Sequence, residues 1–155
     1  MEKQVLITAM KNSISEVLET MFFLPIDFPD VALLKNLWNS EQDDIITARL
    51  NFSGFFSGHC VFYITRKMAV SITADFTGED EESISDDQVK ETVKEITNMI
   101  AGSTFSNYDE KSAFNLEIPE LVKFNDYKDY PDSEKEILIV IETLENHMAF
   151  QMVVN

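Results

Sequence analysis

Glu91, Glu95, Asn98 and Gly102 follow one another at intervals of four, three and four residues. In a helix turning about 100° per residue, they share one stripe. Val89, Val93, Ile96 and Ile100 cluster within about 60° of one another on a different face, which marks the core side. A carboxylate and a carboxamide three residues apart project side by side. The carboxylate offers charge for docking. The carboxamide offers a neutral donor and acceptor that can orient a water molecule. Two glutamates alone would describe a solvated helix face. Asn98 and Gly102 depart from that pattern, because Asn is a mediocre helix former and Gly costs roughly 1 kcal/mol against Ala in a helix interior. Gly on an outward face also removes the side chain that would hold a partner's backbone away. The set suits surface chemistry on another macromolecule and needs no enclosed pocket.

The rest of the chain has to present that helix. Leu6, Met10, Ile14, Val17, Leu18, Met21 and Phe22 are spaced for a helix over Val5–Phe22. Pro25 and Pro29 end it and begin a connection that runs through Trp38. Asp43–Phe52 alternates, with Ile46, Ala48, Leu50 and Phe52 on one face, and predicts a half-buried strand. Gly58–Thr65 is apolar on nearly both faces and predicts a central strand. Lys67–Phe76 predicts a short helix closed by Gly78. Ser85 with Gln88 three residues on forms a capping box, and Asp86 and Asp87 occupy the first turn, where the helix dipole favours negative charge. The long helix should therefore run from about Asp86 to Ser106. A strand at Ala113–Ile118 ends at Pro119, and 125–135 is a polar, acidic loop. Ile137–Leu144 and Met148–Val154 predict a closing hairpin around Glu145 and Asn146. This order predicts an α+β fold, an antiparallel sheet packed with two long helices, in one domain over 1–155.

Composition narrows the function classes. The 155 residues include 28 Asp and Glu against 12 Lys and Arg, a net charge of −16. Such a chain repels phosphate backbones and anionic lipid surfaces, so neither nucleic acid nor membrane is expected as a partner. The charge favours solubility or a partner with a basic patch. No apolar run approaches the ~20 residues of a membrane span, and the N-terminal stretch lacks a signal-peptide core, which points to the cytoplasm. Cys60, the single cysteine, sits in the apolar run FFSGHCVFYI and is expected to be a buried small hydrophobe. His59 and His147 lack partners at zinc-ligand spacing, so no metal site is expected.

The segment ETVKEITNMIAG (91–102), with Pro119 downstream, resembles the CheX branch of the CheC/CheX/FliY phosphatases. Their signature is an acidic or Ser residue, then Glu-x-x-Asn on a long helix, then a Pro about two dozen residues later. The opening helix SISEVLETMFFLP (13–25) is also similar to the start of CheX proteins. Two departures stand out. Glu91 holds the position where Asp or Ser is usual, and the gap from Asn98 to Pro119 is slightly short. CheC proteins carry two such sites on pseudo-symmetric helices. Here the matching place in the first helix is Glu16-x-x-Glu19, with no Asn, so one live site is expected.

The resemblance implies a CheC/CheX-like fold and a phosphatase that hydrolyses the aspartyl phosphate of a CheY-like response regulator, in chemotaxis or related two-component signalling. It assigns Asn98 to orienting the in-line water and Glu95 to pairing with the receiver's lysine. Glu91 and Gly102 fall in the docking surface. It implies no cofactor of the protein's own, with Mg²⁺ supplied by the bound receiver. Two other readings stay open. One is a non-catalytic CheX-like module that binds a receiver or a flagellar switch component. The other, compatible with an enzyme, is a homodimer in which the apolar last strand, HMAFQMVV, is a sheet edge needing a partner.

Overall fold

The computed structural model describes residues 2–30, 37–38, 43–109, 113–124, 135–144 and 146–155. The first helix, α1 (Lys3–Ser15), continues into a π-helical turn at Glu16–Met21. Its apolar stripe, Leu6, Met10 and Ile14, is fully buried. The turn ends with Phe23 in the left-handed region at φ 53°, and Leu24 N–H donates to Leu18 O at 2.9 Å.

The strands β1 (Ile45–Ser53) and β2 (Gly58–Thr65) pair antiparallel from Ile45↔Thr65 to Phe52↔Gly58. They are followed by α2 (Arg66–Thr77), which Gly78 closes at φ 74° in the left-handed conformation that glycine adopts freely. After a short 3₁₀ turn comes α3 (Asp86–Tyr108), then β3 (Asn115–Leu116), β4 (Glu120–Val122), β5 (Glu136–Glu142) and β6 (His147–Val154). The sheet order is β3-β1-β2-β6-β5, with β4 also on β1. All pairings are antiparallel. The α+β architecture expected from the sequence is the one observed.

The sheet is covered on both faces. Ile46, Ala48, Leu50, Phe52, Cys60, Phe62 and Ile64 join the buried side chains of α1 and α3 in the main core. Val61, Tyr63 and Ala149 pack with Trp38 on the other face. This is why β2 is apolar on both faces from Cys60 to Ile64: it is central, and its side chains there are buried on either side.

Two expectations are corrected. The last strand is not an edge: β6 lies between β2 and β5, paired on both sides. Its apolar character comes from that central position. The strand expected at Ala113–Ile118 reduces to β3, and pairing resumes beyond Pro119 as β4. The registers explain it. Phe52 faces Leu116 and Arg49 faces Glu120, so Leu50 and Asn51 of β1 stand opposite Glu117, Ile118 and Pro119. Two residues against three is a β-bulge. Proline, lacking an N–H, is tolerated there. The hairpin β5–β6 is as expected, although Glu145 in its turn lies outside the described residues, as do 125–134 of the predicted acidic loop.

Candidate functional site

The site begins with how α3 is anchored. Gln88 N–H donates to Ser85 Oγ at 3.1 Å and Ser85 N–H to Gln88 Oε1 at 2.8 Å, the reciprocal capping box. Arg66, at the start of α2, binds Asp44 before β1 (2.7 Å) and Asp86 in the first turn of α3. Lys90 Nζ lies 2.9 Å from Asp86 as well. Hydrogen bonds from Lys90, then Arg66, hold the Asp86 carboxyl below its ordinary pKa. One guanidinium thus bridges the start of α3 to the residue before β1.

Val89, Val93, Ile96 and Ile100 are each no more than 1 % exposed, and a fully buried apolar side chain of this kind contributes roughly 1.5–3 kcal/mol. With that face locked, the rotation of the helix is set. The opposite stripe faces outward: Glu91, Glu95 and Asn98 are exposed and Gly102 is half-buried. The α3 residues predicted for the site are therefore brought together on one ridge. Glu91 Oε1 lies 2.8 Å from Lys94 Nζ. Among the described residues, the side chains of Glu95 and Asn98 have neither hydrogen-bond nor ion-pair partners.

A groove of about 340 Å³ runs beside the ridge, with Glu91, Lys94, Glu95 and Asn98 on one wall and residues 116–119 on the other. The bulge builds that second wall. It places Pro119 against the groove and leaves Ile118 89 % exposed. A carboxylate and a carboxamide beside an open groove can receive a protruding reactive group, pair with a cation on it and hold water by the amide. They cannot enclose a small substrate.

Gly102 is not required by the fold. A Cβ there would meet only Leu116 Cδ1, at 3.8 Å, an ordinary contact. Glu16 and Glu19 lie in the π-helical turn and are exposed. Ser103 Oγ donates to Glu16 Oε2 at 3.4 Å, so Glu16 leans on α3. Cys60 is fully buried, and burial pushes its thiol pKa far up. Among the described residues, no group of three or more His, Cys, Asp or Glu is placed to hold a metal ion, and no helix is long and apolar enough to cross a membrane.

Sequence reasoning missed the groove wall and the Glu91–Lys94 pair. The signal for the wall was a proline interrupting an alternating stretch. The pair could have been read from the i,i+3 spacing.

The model of the chemotaxis phosphatase CheX family matches residues 46–142. The chain belongs to that family. The matched span runs from β1 to β5 and includes the whole ridge and Pro119. Among solved structures, a CheC-like superfamily protein from Shewanella sp. PV-4 superposes with a TM-score of 0.76 at 19% identity, covering 97% of both chains. The chemotaxis protein CheX from Desulfovibrio desulfuricans gives 0.73 at 18% identity, covering 97% of this chain and 99% of its own. The CheX–CheY–BeF₃–Mg²⁺ complex from Borrelia burgdorferi gives 0.69 at 14% identity, covering 97% of both chains. A comparison with curated protein sequences gives no match. At these identities the structural likeness establishes the CheX-type fold, and the family model supplies the membership.

Proposed function

We propose that this CheX-family protein hydrolyses the aspartyl phosphate of a CheY-like response regulator, with Asn98 orienting the attacking water and Glu95 docking to the receiver's lysine. The observation that carries the reading is the pairing of an exposed Glu95 with an exposed Asn98, neither bound to another described side chain, on the rim of an open groove. A similar fold in Borrelia burgdorferi is found in complex with CheY, BeF₃ and Mg²⁺. That supports a receiver as partner.

Phosphoryl transfer asks for a nucleophile in line with the leaving oxygen, and charge stabilisation falls mainly to a metal and fixed donors. The receiver brings Mg²⁺ and those donors. This chain adds geometry. A neutral amide is no base at pH 7, so Asn98 works by holding water in place. Glu95 sets the register of the insertion by pairing with a cation. Gly102 leaves room for the receiver's loops, and Glu91 adds negative field. A homodimer belongs to the same reading. One outer strand of its sheet is β5, which among the described residues pairs on its outer side only through Glu142 with Asp27, and light scattering after size exclusion measures the dimer.

The test is the decay of an acetyl-phosphate-labelled CheY-type receiver from the same genome. Asn98→Ala should slow catalysed hydrolysis on the order of 10²-fold, the low end for a positioned catalytic group, while leaving receiver binding nearly intact. Parent-like turnover by Asn98→Ala overturns the assignment. Binding of the phosphorylated receiver without phosphate release by the parent supports a non-catalytic module instead.

A further inference from the structure

The ridge has a second flank that the proposed chemistry does not use. Between α2 and α3 lies a mainly apolar groove of about 460 Å³. Phe22 and Phe76 form its apolar wall, with ring centroids 5.2 Å apart. Phe76 is nonetheless 61 % exposed. Asp87, Glu91 and Glu95 line the groove as well. Glu91 and Glu95 thus border both grooves: one carries Asn98 and the bulge, the other carries Phe76. Across the ridge, the bulge holds Ile118 almost wholly in solvent. Two large apolar side chains flank the stripe of Glu95 and Asn98, one on each side.

We propose that the receiver straddles α3, seating an apolar side chain in the Phe76 groove and a second apolar contact on Ile118, so that these two residues set affinity and partner choice while Asn98 sets rate. The proposal rests on the phosphatase reading and extends its docking surface. Continuity argues for this occupant, because a molecule that covers Glu91 and Glu95 to reach Asn98 also covers the mouth of the Phe76 groove. Charge argues for it too. The rim carries Asp87, Glu91 and Glu95, so an anionic lipid surface, or the same ridge of a second copy, would meet like charge. A separate protein that offers a cation beside its reacting centre, as the receiver's lysine and Mg²⁺ would, meets no such penalty.

A further sign lies next to the groove wall. Phe23 follows Phe22 in the chain, is 85 % exposed and holds a positive φ of 53°. A bulky residue in that region is disfavoured, and glycine would remove the strain. The segment keeps a solvent-facing aromatic where the backbone would prefer none.

The test uses the full chain and a purified CheY-type receiver loaded with BeF₃⁻ and Mg²⁺ for binding, and the same receiver phosphorylated by acetyl phosphate for turnover. Phe76→Ser and Ile118→Ser should each raise Kd and KM about thirtyfold, the lower bound of an interface hot spot, with kcat within about twofold of the parent. Phe76→Leu should retain most of the affinity. Thermal melts of each variant check that the fold is intact, which the exposure of both residues favours. Parent-like Kd in either serine variant, with Asn98→Ala still slowed as expected, overturns the straddling surface and leaves the phosphatase reading standing. Parent-like turnover by Asn98→Ala instead removes the reading on which the proposal rests.

Discussion

Glu91 Oε1 stands 2.8 Å from Lys94 Nζ, whereas Glu95, four residues further along the same stripe, meets no cation among the described residues. The two carboxylates are therefore unequal. Glu91 is paired within its own helix, and Glu95 is not. Exposed i,i+3 pairs contribute only a few tenths of a kcal/mol, so the pair matters for the field at the ridge more than for stability. On the proposed docking, Glu91→Gln should change KM for the phosphorylated receiver by less than about threefold, and Glu95→Gln by about tenfold, since the latter would leave the receiver's lysine unpaired. Glu95→Lys should be worse still. The gap between the two Gln variants should narrow in high salt, where exposed charges are screened. Steady-state KM at two salt concentrations checks it, and equal effects of the two substitutions would sink the distinction.

Gly102 lets folding and the proposed docking be tested apart. An added Cβ has open space apart from Leu116 Cδ1 at 3.8 Å, and α3 pays nothing sterically for it. Alanine is roughly 1 kcal/mol more favourable than glycine within a helix. Gly102→Ala should therefore raise unfolding free energy by about 1 kcal/mol, read by urea denaturation. If glycine is there to admit the receiver, the same variant should bind the receiver more weakly. A stabilised variant with parent-like affinity would show that Gly102 has no docking role.

Much of this arrangement was legible because it rests on local rules. The Ser85–Gln88 box fixed where α3 starts, and the 3.6-residue period of Val89, Val93, Ile96 and Ile100 fixed which way Glu95 and Asn98 face. The two-sided apolar pattern of Gly58–Thr65 identified a central strand. The same logic misplaced HMAFQMVV at an edge, because an apolar strand at the end of a sequence can still be threaded into the middle of a sheet. The bulge at Glu117–Pro119 was not legible, because it depends on the register of β3 and β4 against β1, which is a matter of long-range pairing. The Phe76 groove was hidden for a similar reason: it arises only when α2 and the π-helical turn meet beside α3.

The acid side of the stability curve should show two separate windows. His59 is partly buried on β2, and desolvation, followed by the nearby Arg49 charge, lowers its pKa below the ordinary 6.5. At pH above 6.5 the imidazole is neutral in both the folded and unfolded chains and costs nothing. As pH falls below 6.5, the unfolded chain takes up the proton first, so folding loses stability until the lowered folded pKa is passed. Asp86 behaves as a depressed carboxyl. The stability it contributes through Lys90 and Arg66 is present above its ordinary 3.8 and is lost as pH falls through the lowered value. The melting temperature should therefore decline first below 6.5 and again below 3.8. His59→Gln should flatten the upper decline and leave the lower one, while Asp86→Asn should do the reverse. Thermal melts stepped from about pH 8 to about pH 3 measure both. An upper decline unchanged in His59→Gln would mean that another group governs that window.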